Sequence, residues 1–342
     1  MTAAVPAWLA AIPVRRLLEE GVEARFPLPP GDRPLVEAGQ EVAAGDPLLE
    51  HLRDRRIDEV DVVRAAGAPA PLPGDRWTTA PGRRRGEDAV EGELLGPVPG
   101  RRDRWRLVTG EHRDVVEAPV AGVVTEVRPG AEIRLRSAWP ALRAGIAAGS
   151  TTHGRLELAT DPLGELKPGG IDVGRAGAIL VVGSRIDAEA LTRARAMGVR
   201  GIISASLAGK DLRDFQASEK RQRAALHAAP SFGVLALDGA LRHPITPTLM
   251  ALFTRLEGCP SAILSDPAAL AVDTGALADA VLALPPDLVR IRTGVNAGLE
   301  GRVVGLAGPR RFAGGVILDA AWIRIGDEEP LDVPLGDLER YA

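Results

Sequence analysis

Short polar segments follow three apolar runs in the second half of the chain, and their residue types suit anion binding. The segments are Gly183-Ser184-Arg185, Ser204-Ala205-Ser206 and Asp238-Gly239. Ligands of an open parallel sheet bind beyond the carboxyl ends of its strands, so these segments predict one site if the runs are neighbouring strands. Arg185 would offer a two-donor fork to a carboxylate or phosphate, and the turn amides would add positive potential. The same residues are also ordinary in strand-to-helix turns, so a structural role explains them equally well.

A catalytic reaction at these segments lacks an obvious general base. Asp238 is the carboxylate in them that could take a proton, and a reaction would need help from the substrate or from a metal. The sequence therefore favours a protein that is not an enzyme, with a small-molecule sensor or an enzyme at this anion site as the alternative.

A second candidate for anion binding is the loop from Gly145 to Gly154, which is rich in glycine and hydroxyl groups. Its Ser150, Thr151 and His153 could accompany backbone amides around an anion. The competing interpretation is a link between a β-module and an α/β domain.

Established catalytic and metal-binding motifs are absent from the sequence. The five histidines are scattered, and the single cysteine, Cys259, has no partner for a metal-binding pair. Walker A, Rossmann and nucleophile-elbow glycine motifs are missing as well. We therefore expect no metal and no cofactor, and interpret Cys259 as a small buried residue.

The elements that would position the first site form an α/β pattern over residues 175–270. Strands are predicted at 178–183, 201–204, 232–238 and 261–264. Helices are predicted between the N-cap Asp187 and Gly198, over 212–228 and over 246–256. This order predicts βαβ units in a small parallel sheet.

The first half of the chain has a different rhythm of Gly-Asp turns and short apolar strands. It is seen in Val36–Leu48 (VEAGQEVAAGDPL), again in Gly86–Leu95, and in Val116–Val127 as a closing strand. These segments resemble the β-hammerheads of barrel-sandwich hybrids, the fold of biotinyl and lipoyl carriers. Such carriers modify a lysine, and residues 1–166 contain none, so no biotin or lipoyl attachment is expected. Between the hammerheads, the apolar spacing of residues 52–64 predicts a helix.

The C-terminal stretch from Val289 to Leu338 resembles a KOW-type SH3-like module, through RTGVNAGLEGRVVG at 292–305 and PLGDLE at 334–339. The resemblance implies a loop edge at Gly298, Glu300 and Gly301 that contacts RNA, a ribosome, a polymerase or a protein. Seven arginines against eight acidic residues over 289–342 are not the basic footprint of a phosphate binder. A protein partner is therefore at least as well supported as RNA.

Tryptophans next to arginines suggest a further contact surface. Trp77 lies in a Pro/Gly-rich loop and Trp105 in an arginine run beside Arg104. An interface with a partner or with a second copy of the chain is one interpretation, formed by loops 67–85 and 97–110. The other is that Trp105 faces the interior of its own hairpin.

A length of 342 residues predicts several domains. The net charge is −4, and no apolar stretch is long enough for a secretory signal or a membrane span, so we expect a cytoplasmic protein. The fold class is multidomain α+β. The predicted order is an N-terminal segment and first hammerhead half (1–66), a linker (67–82), a second half (83–145), a connection (146–174), the α/β domain (175–270), a linker (271–288) and the SH3-like barrel (289–342).

The combination of these modules resembles a bacterial protein family to which no function is assigned, so the resemblance implies a fold and no catalytic residues. The function predicted first is a non-enzymatic binding or scaffold protein that engages a macromolecular partner through its β-modules.

Overall fold

The computed structural model describes residues 7–63, 69–79, 89–101, 103–161, 163–225, 231–240, 243–275 and 282–342. This part of the chain is rich in β-structure, with several sheets and few helices, and forms two compact units. The sandwich unit comprises residues 23–138, and the α/β unit comprises the chain up to Val22 together with the chain from Trp139 onward.

The strands up to the end of the sandwich unit are short. They are β1 (Val14–Arg15), β2 (Glu23–Pro27), β3 (Arg33–Pro34), β4 (Glu41–Val42), β5 (Pro47–Leu52), β6 (Arg56–Asp61), β7 (Arg76–Thr78), β8 (Glu91–Pro97), β9 (Arg104–Thr109), β10 (Arg113–Glu117), β11 (Gly122–Arg128) and β12 (Glu132–Ser137).

The remaining strands lie in the α/β unit. They are β13 (Ala141–Arg143), β14 (Ile146–Gly149), β15 (Thr152–Leu158), β16 (Glu165–Leu166), β17 (Ala178–Val182), β18 (Arg185–Ile186), β19 (Gly201–Ser204), β20 (Gly233–Ala236), β21 (Pro260–Leu264), β22 (Ala269–Val272), β23 (Leu288–Ile291), β24 (Glu300–Arg311), β25 (Ile317–Arg324), β26 (Leu331–Pro334) and β27 (Leu338–Tyr341). The helices are α1 (Ala7–Ala10), α2 (Ala188–Ala196), α3 (Gly209–Ala225) and α4 (Pro247–Leu256).

The sandwich unit is built by interleaving two stretches of chain. Strand β4 pairs antiparallel with β11, and β5 pairs antiparallel with β10, so the stretch around residues 41–52 cannot complete its sheets without residues 113–128. Alternate residues of β11 and β12, such as Val124, Ile133 and Leu135, are fully buried. Burial of one face of these strands fixes their register.

A four-stranded sheet of order β6-β9-β8-β7 forms the rest of this unit and corrects two expectations. Residues 56–61 form strand β6 rather than a helix, because their backbone pairs with β9 and long-range pairing overrides local periodicity. Residues 91–95 of the expected second hammerhead lie in β8 of this sheet, separate from the sheets that contain β4 and β5. Gly86 to Asp88 lie outside the described residues, and the expected linker contains β7.

The α/β unit is centred on an eight-stranded mixed sheet of order β13-β22-β21-β15-β17-β19-β20-β14. Strands β15, β17, β19 and β20 are parallel neighbours, and the flanking pairings are antiparallel. Side chains of β17 alternate between two cores: Ile179 and Val181 pack with α4, whereas Leu180 and Val182 pack with α2 and α3. Both faces of the parallel centre are therefore covered.

The strands and helices of this centre lie close to the positions that the sequence predicts. Asp187 caps α2 by accepting a 2.7 Å hydrogen bond from the Ala190 amide, and Thr246 is the N-cap of α4. The strands from residue 141 to 158 and strand β22 were not predicted as members of this sheet. They add edges that the local pattern does not reveal.

The second sheet of the α/β unit has the order β1-β27-β23-β24-β25-β26. Strand β1 pairs in parallel with β27, so the start and the end of the chain lie side by side. Leu9 and Ile12 of the N-terminal segment pack in the same core as Val289 and Ile323. Residues 9–15 thus add to the C-terminal sheet and its core, a grouping that the sequence did not predict.

Trp105 provides a test of the sandwich unit's small core. Its side chain is only 8% exposed and packs with Val62, Leu94 and Leu107. We expect Trp105→Ala to lower the free energy of unfolding by about 3–5 kcal/mol, the usual cost of truncating a buried tryptophan. Urea unfolding of the full chain measures this change.

Ile57→Ala is the matched control, since Ile57 lies exposed on the neighbouring strand β6. Its cost should stay below about 1 kcal/mol. Equal destabilisation by the two variants would contradict the buried position of Trp105.

Candidate functional site

The predicted anion-binding residues at the strand ends are occupied by contacts within the turns. The Gly183 amide donates to Thr160 Oγ1 at 2.7 Å, and Ser184 Oγ donates to the Leu163 carbonyl at 2.8 Å. Ser204 Oγ donates to the carbonyl of Ser206 at 2.9 Å. Ser204 and Ser206 are both buried, so these hydroxyl groups do not face an open site.

Arg185 and Gly239 lie at the same end of the sheet. Arg185 begins strand β18, which pairs with β16, but the position of its side chain lies outside the described part of the structure. The Gly239 carbonyl accepts a hydrogen bond from the Leu207 amide at 3.0 Å, and its φ of +85° suits glycine. Gly239 therefore serves the turn that follows β20.

Asp238 is held by two arginines from distant parts of the chain. Arg15 Nη1 lies 2.5 Å from Asp238 Oδ1, and Arg290 Nη2 lies 2.8 Å from Oδ2. Arg290 Nη1 also lies 2.5 Å from Glu339 Oε1. We call Arg15, Asp238, Arg290 and Glu339 the Asp238 cluster. Because both oxygens of Asp238 face guanidinium groups, the geometry suits an ion pair and not a general base.

The side chains of the Asp238 cluster are largely buried. Burial by itself lowers the pKa of Arg290, but the carboxylates of Asp238 and Glu339 raise that pKa above its ordinary value. The Asp238 side chain is 7% exposed and the Arg290 side chain 5%. His243 Nε2 lies 3.5 Å from Asp238 Oδ2. The cluster therefore joins β1, β23 and β27 of the C-terminal sheet to the end of β20.

Gly298, Glu300 and Gly301, predicted as a partner-contacting loop edge, face inward instead. A Cβ on Gly298 would stand 2.7 Å from the His243 ring, and one on Gly301 would stand 2.7 Å from the Arg324 carbonyl oxygen. Glu300 accepts hydrogen bonds from Tyr341 Oη at 2.6 Å and Thr248 Oγ1 at 2.8 Å. Burial and the Glu300 carboxylate raise the pKa of Tyr341 above its usual range. These residues bind the C-terminal sheet to α4.

The segment from Gly145 to Gly154 is largely β-strand rather than loop. Strands β14 and β15 take up most of it, and the Ser150 amide donates to the Phe232 carbonyl at 2.9 Å. Thr151 Oγ1 lies 2.8 Å from Ser265 Oγ, and His153 stands exposed opposite Ala262 in the ladder. The sheet thus uses the amides that the sequence suggested for a ligand.

The tryptophans predicted as interface anchors belong to the sandwich unit's own core. Trp105 is buried, and Trp77 is half-buried against the same cluster. Arg104 lies on β9 with its Nε 3.4 Å from Glu59 Oε2. The inward interpretation of Trp105 is therefore correct, and an interface has no exposed anchor at this residue.

An exposed apolar feature of the C-terminal sheet is a long hairpin that the sequence did not predict. Strand β24 pairs with β23 only up to Arg302, and β26 covers β25 only from Ala320 onward. Residues 304–319 therefore form a two-stranded ribbon, which together with Trp322 at its base we call the arm. Six large apolar side chains of the arm are exposed: Val304, Leu306, Val316, Ile317, Leu318 and Trp322.

Two contacts of Arg310, one with Trp322 and one with Asp332 of β26, hold the base of the arm in a defined shape. The Arg310 guanidinium lies 5.7 Å from the centre of the Trp322 ring, and Arg310 Nε lies 3.4 Å from Asp332 Oδ2. Arg310 pairs across the ladder with Leu318. The arm thus presents Trp322, which is 39% exposed, and Ile317, which is 64% exposed, on an ordered ribbon. The apolar runs 303–306 and 316–318 were the signal for it in the sequence.

Comparison with models of known protein families gave no match, and a search for curated proteins of similar sequence gave none. Within the described ranges, no group of three or more His, Cys, Asp or Glu side chains is arranged to hold a metal ion. Among the same residues, no helix combines the length and apolarity needed to span a lipid bilayer. The arm and the Asp238 cluster are the features on which a functional interpretation can rest.

Gly298 offers a test of the close approach to His243. We expect Gly298→Ala to cost more stability than Gly294→Ala, although φ is positive at both glycines, +88° and +84°. Positive φ costs an alanine about 1–2 kcal/mol at either position. Overlap with the His243 ring adds about 1–3 kcal/mol at Gly298 alone, because nothing lies within 4 Å of a Cβ at Gly294. Thermal unfolding of both variants measures the difference, and equal losses would disprove the contact.

The Asp238 cluster predicts a large cost for removing its central charge. Asp238→Asn keeps the side-chain size but leaves Arg15 and Arg290 without that carboxylate, so we expect a loss of about 3–5 kcal/mol in the free energy of unfolding. Asp332→Asn is the control, because it removes an exposed ion pair with Arg310 and should cost about 1 kcal/mol or less. Denaturant titration of both variants measures their free energies of unfolding. A loss for Asp238→Asn as small as that for Asp332→Asn would contradict the cluster's role.

Proposed function

We propose that this protein is a non-enzymatic binding or scaffold protein that engages a partner protein through the arm. The observation that carries the proposal is the set of six large apolar side chains exposed on one ribbon. Exposed apolar side chains concentrated on one element are typical of protein interaction sites. Aromatic anchors such as Trp322 are the residues on which binding energy concentrates.

The backbone of the arm supports the same function. Within the described part of the chain, each strand over residues 304–319 has one ladder partner and one open edge. An open edge with apolar side chains is a template for strand addition by another chain. A two-stranded ribbon is marginally stable by itself, so a partner that covers it also stabilises it.

Charge favours a protein over RNA as the partner. Arg310 already contacts Trp322 and Asp332, and residues 289–342 carry seven arginines against eight acidic residues. RNA binding depends on a surplus of cations aligned with phosphates, which this region lacks. The apolar arm fits a protein surface better.

We further propose a barrel-sandwich hybrid for the sandwich unit and an SH3-like barrel for the C-terminal sheet. The interleaved pairing of β4 with β11 and β5 with β10 supports the first. The succession of antiparallel pairings from β23 through β26, closed on the other side by β27, supports the second. Both are folds that serve as binding modules. Residues 1–166 contain no lysine to which biotin or lipoate could be attached, so we propose binding and not a carrier reaction.

The arm can be tested by substitution in the full-length protein. Ile317→Asp and Leu306→Asp place a charge on the ribbon, and we expect each to reduce capture of a protein partner by about tenfold or more, since a central apolar anchor contributes about 2 kcal/mol. The measurement is quantitative capture from native lysate, with and without nuclease. Val173→Asp is the control, because Val173 is an exposed apolar residue away from the arm.

Capture that is lost in the arm variants, kept in the control and unaffected by nuclease supports the proposal. Equal capture by the wild type and the arm variants would refute it. Capture abolished by nuclease, with salt-dependent RNA binding by the purified protein, would assign the surface to RNA instead.

A further inference from the structure

An open cleft of about 620 Å³ lies beside the Asp238 cluster, within the α/β unit. Among the residues that the structure describes, its wall carries five arginines: Arg15, Arg16, Arg143, Arg290 and Arg292. Its carboxylates are those of Glu19, Asp238 and Glu339. Charged groups thus dominate this cleft, and the cations outnumber the anions by two.

Each carboxylate of the cleft is already engaged by an arginine. Arg143 Nε donates to Glu19 Oε2 at 3.0 Å, and this hydrogen bond, with a smaller contribution from the charge of Arg16, holds the pKa of that carboxyl below its usual value. Asp238 and Glu339 are bound within the Asp238 cluster. The acids therefore have little capacity left to neutralise a further arginine.

The two surplus charges reside at Arg16 and Arg292 on the cleft's rim. Arg16 is exposed and makes no ion pair with the residues that the structure describes. Arg292 is 45% exposed, with its Nε 3.6 Å from Glu339 Oε2, a carboxylate that Arg290 binds more closely. On the floor, Arg290 Nε has no hydrogen-bond partner in the described part of the chain, although the side chain is almost fully buried. The site thus has free donors above a fixed ionic floor.

We propose that this cleft binds a small dianionic ligand that carries a phosphate monoester or a pair of carboxylates. Guanidinium groups pair with both through two parallel hydrogen bonds, and two surplus cations match a charge of about −2. The volume lies within the range of about 300–1,000 Å³ typical of small-molecule sites. Arg16 and Arg292 contact the oxyanion, while the Asp238 cluster holds the floor in place.

This ligand site is independent of the partner-binding function. The arm contributes no residue to the cleft, so failure of one assignment leaves the other standing. The site also differs from the anion site expected from sequence, because Ser204 and Ser206 are buried and only Asp238 is shared between the two.

Calorimetric titration of the full-length protein at low salt tests the proposal. The probes are inorganic phosphate, glycerol 3-phosphate, succinate and uncharged glycerol. We expect saturable binding of the phosphate compounds or of succinate, none of glycerol, and at least about tenfold weaker binding in Arg16→Ala and in Arg292→Ala, because each loses a charge-assisted hydrogen bond. The ligand class is that of the probe that binds more tightly: a phosphate compound or the dicarboxylate succinate.

Arg25→Ala is the matched control, since Arg25 is an exposed arginine of the sandwich unit without an ion pair in the described residues; its binding should equal that of the wild type. Thermal unfolding of each variant verifies folding, and Arg16→Gln serves if Arg16→Ala is unstable. The proposal is overturned if no oxyanion binds saturably, or if binding persists unchanged when both rim arginines are removed.

Discussion

The Asp238 cluster is the interaction on which the architecture of the α/β unit depends. Four charges are withdrawn from water, which is costly unless each meets a partner of opposite sign at close range. Arg15, Asp238, Arg290 and Glu339 come from four separate parts of the chain, so their charges are balanced only when all four meet. The position of the C-terminal sheet against the end of β20 is thereby restricted to arrangements in which this happens.

Close packing next to the cluster restricts the same arrangement by steric means. Gly298 lets the chain pass against the His243 ring, and His243 in turn faces Asp238. Glu300 then connects Tyr341, at the end of the chain, to Thr248 in the first turn of α4. Residues that resemble a partner-contacting loop in sequence thus take part in the contact between the C-terminal sheet and α4.

The surfaces proposed for binding consist of charged and apolar side chains that take no part in these internal contacts. At the cleft, Arg16 and Arg292 have the weaker contacts with carboxylates, because other arginines lie closer to Glu19 and Glu339. The apolar side chains of the arm remain exposed because β24 and β25 extend beyond the residues that pair with β23 and β26. The two proposed binding surfaces of this unit therefore differ in chemistry and position: we propose the cleft for an oxyanion and the arm for a protein.

The sequence by itself determined what depends on neighbours along the chain. The apolar runs at 178–182 and 201–204 and the helix cap at Asp187 are local properties, and they were sufficient to predict the parallel centre of the sheet. The tertiary structure alone decided the pairing of β1 with β27, strand β6 in place of a helix, the inward position of Trp105, and the meeting of Arg15 with Asp238. These features join residues far apart in sequence, and no local pattern records which distant strand or charge will satisfy a given backbone edge or buried side chain.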